Sequence, residues 1–215
     1  MQVDGREIKI SRGMVRVARL DADMYQFLRN PEPLIAELRA RKLSIDLFTF
    51  TQTITDTTPK YKYPMEWENL AVLPVSTFQD WWDKQIGFKA RNKAKQAEKK
   101  GVVLREVPFG DELVRGITEI YNETPVRQGR PYPHFGKDFA TVHREEATYL
   151  ESSVFIGAYL GEELIGFIKM VWDEERIQAG LMNIGLLTRI CKTGHFTRLS
   201  ERRPVGSLWQ PSVAL

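Results

Sequence analysis

Apolar positions along the first hundred residues fall into short strand-like and helix-like stretches. Residues 14–20 (MVRVARL) alternate around Val15 and Val17, as a strand does. Asn30, Pro31 and Glu32 then open a helix: Asn30 can cap it, Pro31 suits its first turn, and Glu32 favours the positive end of its dipole. Leu34, Ile35 and Leu38 give that helix one apolar face, and it ends near Lys42. Residues 45–53 (IDLFTFTQT) are rich in β-branched and aromatic side chains and predict a strand. A polar, proline-bearing loop follows over 56–64, and 67–75 (WENLAVLPV) predicts another strand. Thr77-Phe78-Gln79-Asp80 has the form of a capping box with Asp in place of Glu. It starts a long helix over 78–100, with Gly87 as a point of interruption and Gly101 as the stop.

From Gly101 the pattern strengthens. Residues 102–107 (VVLREV) predict a strand, and 111–123 an amphipathic helix with Leu113, Val114, Ile117 and Ile120 on one side. A loop dense in Gly and Pro (ETPVRQGRPYPHFG) precedes a helix over 137–150. Residues 154–160 and 164–172 are two strong strands joined by a short hairpin connection, and 177–187 predict one further strand. Beyond Leu187 neither a 3.6 nor a 2.0 period survives, and the stretch is basic through Arg189, Lys192, Arg198, Arg202 and Arg203 against Glu201. The expected fold class is α/β, with a mixed, largely antiparallel sheet flanked by helices. Its parts are an N-terminal αβ extension (1–100) ending in a basic helix, a core (101–187) and an irregular tail (188–215).

Composition narrows the class. The 215 residues are 42% hydrophobic and 27% charged, which is globular rather than disordered. The one cysteine, Cys191, excludes an intrachain disulfide and a cysteine zinc site. The polar start MQVDGREIKISRG is no secretory signal, and no apolar run reaches the ~18 residues of a membrane span. A cytoplasmic location without a membrane partner is therefore expected. A net charge of +3 is compatible with an anionic ligand without demanding one. His134, His143 and His195 are scattered, so no metal is expected. P-loop, G-x-S-x-G and G-x-G-x-x-G patterns are absent, which removes the support for kinase-like, hydrolase and Rossmann chemistry.

The order of elements over 102–172, ending in AYLGEELIGFIKM, is similar to the opening half of the GNAT superfamily of acyl-CoA N-acyltransferases. KARNKAKQAEKKGV, with Arg91, Asn92, Ala97, Lys99, Gly101 and Val102, also resembles the basic helix of FemAB-type acyltransferases. Together these likenesses cover residues 45–180. They imply a GNAT-like sheet and transfer of an acyl group from acetyl-CoA or another acyl-CoA to an amine on a small molecule or peptide. They place the coenzyme beside the fourth strand, here Met182, Asn183 and Ile184. This sequence lacks the Q/R-x-x-G-x-G/A loop that holds the pyrophosphate in that family, and a frameshift or early stop near Asn183 would produce such a break.

The loop YNETPVRQGRPYPH is the densest polar cluster, and in GNAT-like folds that connection helps shape the acceptor side. Glu123 can take a proton from an amine, and Tyr132 or His134 can return one to a leaving thiolate. Asn122, Arg127, Gln128 and Arg130 are the candidate substrate contacts, since guanidinium matches carboxylate and phosphate bidentately. Two alternatives stand beside acyl-CoA chemistry. A FemAB-like enzyme would take its acyl group from aminoacyl-tRNA across the lysine-rich 84–100 helix. A truncated transferase would have no catalysis. If the helix is instead a solvated face, its alanines, Ile86 and Phe88 touch the core. Tyr61, Tyr63, Glu66 and Trp67 read either as pocket walls or as packing.

Overall fold

The structure, a computed structural model, describes residues 1–11, 13–21, 25–53, 56, 58–69, 71–173, 179–187 and 207–214. It is an α/β protein of two compact units, one formed by 1–73 with 173–175 and 202–215, the other by 74–172 with 176–201.

Among the described residues the first unit holds a six-stranded mixed sheet and one helix. A hairpin of β1 (Gln2–Val3) and β2 (Arg6–Ile10) leads to β3 (Val17–Leu20). Helix α1 (Glu32–Ala40) carries the chain across to β4 (Leu47–Thr49), which pairs parallel to β3. The N-cap position is Pro31, without a side-chain cap, one residue later than expected, and Asn30 Oδ1 accepts from the Glu32 N–H at 3.3 Å just ahead of it. Leu34, Ile35 and Leu38 are buried with Val3, Ile8, Leu20, Phe48 and Phe50. Tyr61 and Tyr63 stand edge-on to Phe50, with ring centroids 5.3 and 6.4 Å away, so these two tyrosines are packing side chains. The β1–β2 hairpin falls in a stretch whose polar residues hid its alternation. Strand β5 (Met65–Asn69) is shorter than expected, and 71–75 lie outside it.

The end of the chain departs from the expected irregular tail. Residues 188–206 lie outside the described ones, but β12 (Ser207–Ala214) is a strand of the first unit. Its first half pairs with β5 and its last three residues with β4, both antiparallel, and the change of partner comes at Pro211. A strand that draws its pairing from distant segments leaves little local periodicity.

In the second unit, Thr77 caps α2 (Phe78–Asp80) by accepting from the Asp80 N–H at 3.1 Å. The predicted long helix is broken there. A π turn (Trp81–Gln85) ends at Ile86, and Gly87 is extended (ψ 149°) before α3 (Phe88–Lys99) begins. Helix α3 belongs with the second unit and not with the N-terminal part, because it runs directly into β6 (Val102–Val107) and packs on it. The sheet is fully antiparallel in the order β11-β10-β9-β6, built with β9 (Ser153–Leu160), β10 (Glu163–Trp172) and β11 (Ala179–Leu186). Gly161, at φ 61°, makes the tight turn between β9 and β10.

One sheet face is covered by α4 (Asp111–Asn122), with α5 (Phe139–Glu146) packed beside it. Leu113, Val114, Ile117, Ile120 and Tyr121 from α4 meet Phe155, Ile165 and Phe167 from the strands. A Cβ on Gly185 of β11 would overlap the Phe167 ring, whose Cδ1 lies 2.9 Å from that position, with Ile120 Cγ2 at 3.1 Å. Gly185→Ala should therefore lower stability by about 1–3 kcal/mol through overpacking. Gly87→Ala, where nothing lies within 4 Å, should stay within about 0.5 kcal/mol. Urea unfolding of the whole chain measures both.

Candidate functional site

Helix α4 ends by turning Tyr121 into the core, and the loop after it folds back over that ring. Within the loop β7 (Val126–Arg127) pairs with β8 (Arg130–Pro131) in a two-residue hairpin. Both turn residues have positive φ, Gln128 at 53° and Gly129 at 74°, as this class of tight turn requires. The Tyr132 N–H then donates to the Pro125 carbonyl at 2.8 Å. Asn122 anchors the far end: its amide donates to the Thr118 and Lys137 carbonyls, both at 2.9 Å, and its side-chain oxygen accepts from the Gly136 N–H at 2.7 Å.

This fixes Tyr132 and His134 on Tyr121. The His134 ring stacks on Tyr121 with centroids 4.3 Å apart, and Tyr132 stands edge-on to Tyr121 at 6.1 Å. Arg127 lies 4.1 Å above the Tyr132 ring and donates to the Ile120 carbonyl at 2.7 Å. Its Nε is buried without a partner. Gln128 and Arg130 are exposed at the hairpin tip, and Glu123 closes α4 at the start of the same loop, half-buried.

Beneath the rings lies a buried polar network. Glu146, from α5, is 1% exposed and accepts from the Tyr121 hydroxyl at 2.8 Å. Its two oxygens also accept from the Asn183 amide at 2.9 and 3.0 Å. Lys169 of β10 is fully buried and donates to the Glu146 carbonyl (2.8 Å), the Thr148 carbonyl (2.7 Å) and the Thr148 hydroxyl (3.1 Å). Three acceptors satisfy the three donors of an ammonium.

Asn183 stands at an irregularity in β11. Lys169 pairs with Asn183 but Met170 with Leu181, so Met182 is an extra residue, a β-bulge. Met182, Asn183 and Ile184 are thus brought together with the loop cluster only through Asn183, while Ile184 is 61% exposed. Strand β11 is the edge of its sheet among the described residues.

Burial sets the protonation states. It holds the Tyr121 phenol far above its ordinary pKa, with the Glu146 carboxylate adding to the effect. Burial also raises Tyr132, against the opposing charge of Arg127. It lowers His134, helped by the Lys137 ammonium 3.2 Å from Nδ1. Lys169 is lowered by burial too, against the pull of Glu146. With Lys137 donating to Nδ1, neutral His134 carries its proton on Nε2, so His134 and Tyr132 are both neutral proton carriers at pH 7. Among the described residues no three His, Cys, Asp or Glu side chains converge as metal ligands would.

No protein-family model matches this chain, and no curated protein does. Among solved structures it is similar to a functionally unknown conserved protein from Staphylococcus epidermidis ATCC 12228, at 8% identity over 92% of this chain and 83% of that one, with a TM-score of 0.33. A likeness at that score assigns neither fold nor function.

Tyr121, Glu146 and Lys169 were not singled out from the sequence. The signal was present. Glu146 continues the Phe139, Val142 spacing on the inner side of α5, and Lys169 follows Ile165 and Phe167 on the inward face of β10. A charge at an inward position is the readable mark of a buried network.

Two outcomes follow. Glu146→Ala leaves the buried Tyr121 hydroxyl and the half-buried Asn183 amide without their acceptor and should cost about 3 kcal/mol in urea unfolding. The lowered His134 pKa means that the unfolded chain binds more protons just below the ordinary imidazole value. Stability should therefore fall as pH drops from about 6.5 through the folded pKa. Lys137→Met should raise the His134 midpoint seen by NMR titration and shrink that loss.

Proposed function

We propose that the chain is an N-acyltransferase that moves an acyl group from acyl-CoA to an amine. The observation that carries this reading is the bulge at Met182 in edge strand β11, joined through Asn183 and Glu146 to the Tyr121–Tyr132–His134 stack. A bulge leaves ladder groups unused and re-aims the strand. An N–H there can donate to the oxyanion that forms when an amine nitrogen attacks a thioester carbonyl. Met182, Asn183 and Ile184 are where the resemblance to GNAT enzymes puts the coenzyme, and acyl-CoA chemistry brings a cytoplasmic location with it.

The chemistry asks for few side chains. As the C–N bond forms, the amine gives up a proton, for which Glu123 is the one acid of the loop. As the C–S bond breaks, the thiolate takes a proton from Tyr132 or His134. Tyr132 is the better placed of the two, since burial keeps its phenol protonated until the thiolate forms, whereas His134 could give a proton only as the imidazolium, which burial and the Lys137 charge disfavour. Arg130 and Gln128, exposed at the hairpin tip, suit contacts to the acceptor better than Asn122, whose polar atoms already anchor the loop.

A melting titration of the whole chain with acetyl-CoA, desulfo-CoA and ATP tests the reading. Both coenzyme species should raise the melting temperature saturably, by the equivalent of ~2.7 kcal/mol at a hundredfold excess over Kd, and ATP should not. No shift in a cooperatively melting protein overturns the proposal. Where an acceptor amine is found, Tyr132→Phe or His134→Gln should lower kcat by roughly 100-fold, according to which side chain protonates the thiolate. If neither does, that role is wrong.

A further inference from the structure

The segment from Phe78 to the end of α3 presents side chains that the core of its unit does not use. Phe78 is 67% and Phe88 70% exposed. Phe78 stacks on Trp82 at 5.8 Å and lies tilted against Trp81 at 5.7 Å, and neither tryptophan is buried. Val75, just before them, is 57% exposed. On the solvated-face alternative Phe88 would touch the core, but the only buried residue of α3 is Ala97, and at 100° per residue Phe88 falls opposite it. The same geometry sets Phe88 within roughly 20° of Lys95 and Lys99. Arg91 joins the two halves of the segment by donating to the Trp82 and Asp83 carbonyls at 2.8 and 2.9 Å.

The charge on this segment is one-sided. Lys84 is paired with Asp80, and Asp83 accepts from Gln79. Beyond them α3 carries Lys89, Arg91, Lys95 and Lys99 against Glu98. A helix with lysines around exposed aromatic rings is suited to the boundary between lipid headgroups and acyl chains, where rings sink and ammonium groups stay at the phosphates.

We propose that this aromatic turn and basic helix dock the protein on an anionic lipid surface. Phe78, Trp81, Trp82 and Phe88 enter the headgroup layer, and the α3 lysines meet its phosphates. The Phe78 ring spends a face on Trp82, and Val75 offers no π face, which fits a lipid layer better than stacking of nucleic-acid bases. This sets aside the expectation of no membrane partner, which addressed spanning segments. Among the described residues no helix is long and apolar enough to cross a membrane. The proposal stands independently of the acyltransferase reading.

The test is flotation of the full chain with phosphatidylcholine vesicles, with and without about 30% phosphatidylglycerol. The protein should float with the anionic vesicles only, with a blue shift of tryptophan emission, and should come off in high salt. Lys89→Glu with Lys95→Glu should weaken partitioning more than about tenfold, since each basic residue near such a surface is worth roughly fivefold. Phe78→Ser with Phe88→Ser should abolish the blue shift and most of the binding at an unchanged melting temperature. The proposal is overturned by absence of flotation, or by flotation indifferent to the phenylalanine pair. It is overturned equally if an oligouridylate binds more tightly than the vesicles, or if the phenylalanines prove to drive self-association.

Discussion

The second unit depends on one buried carboxylate. Glu146 takes hydrogen bonds from Tyr121 on α4 and Asn183 on β11, while its backbone carbonyl takes the Lys169 ammonium from β10. Four elements are thereby tied at one residue of α5. Removing either charge from water is costly, and the cost is offset only because both groups are fully hydrogen-bonded. The apolar core around Ile117, Ile120 and Phe167 supplies the bulk of the stability. The network adds direction, since a shift in the packing of α4, α5 or β11 would leave a buried polar atom unmatched.

The functional loop follows from that network. Tyr121 is oriented by Glu146, His134 and Tyr132 stack on Tyr121, and Arg127 covers Tyr132. Aromatic and cation–π contacts of this kind are modest singly. Here they are held in register by Asn122, which closes the loop against the helix it left. A surface loop rich in Gly and Pro thus becomes a fixed set of proton-bearing side chains.

The two faces of the four-stranded sheet differ. Leu113, Ile117 and Ile120 of α4 seal the face of Phe155 and Phe167. On the other face Leu104 and Ile184 are 70% and 61% exposed. At the β11 edge the bulge at Met182 makes the strand irregular, and a bulged edge is a poor template for further pairing.

By itself the sequence determined the regular parts of the second unit. The strands 154–160 and 164–172 and the helix at 111–123 were legible because each buries one face, and burial imposes a period of 2.0 or 3.6 on the apolar positions, while 102–107 was legible from its β-branched and apolar residues although none of them is buried. It also marked the loop 121–134 as the polar centre, by density of charged, aromatic and proline residues. Tertiary structure alone decided what long-range pairing controls. Pairing of Ser207–Ala214 with β4 and β5 left no local period to read. The break before α3 falls at Gly87, which the sequence offered as an interruption, but the π turn at Trp81–Gln85 ahead of it left no mark in composition. The convergence of Tyr121, Glu146, Lys169 and Asn183 spans more than sixty residues of chain (121 to 183), because a buried charge finds its partner in space and not in sequence.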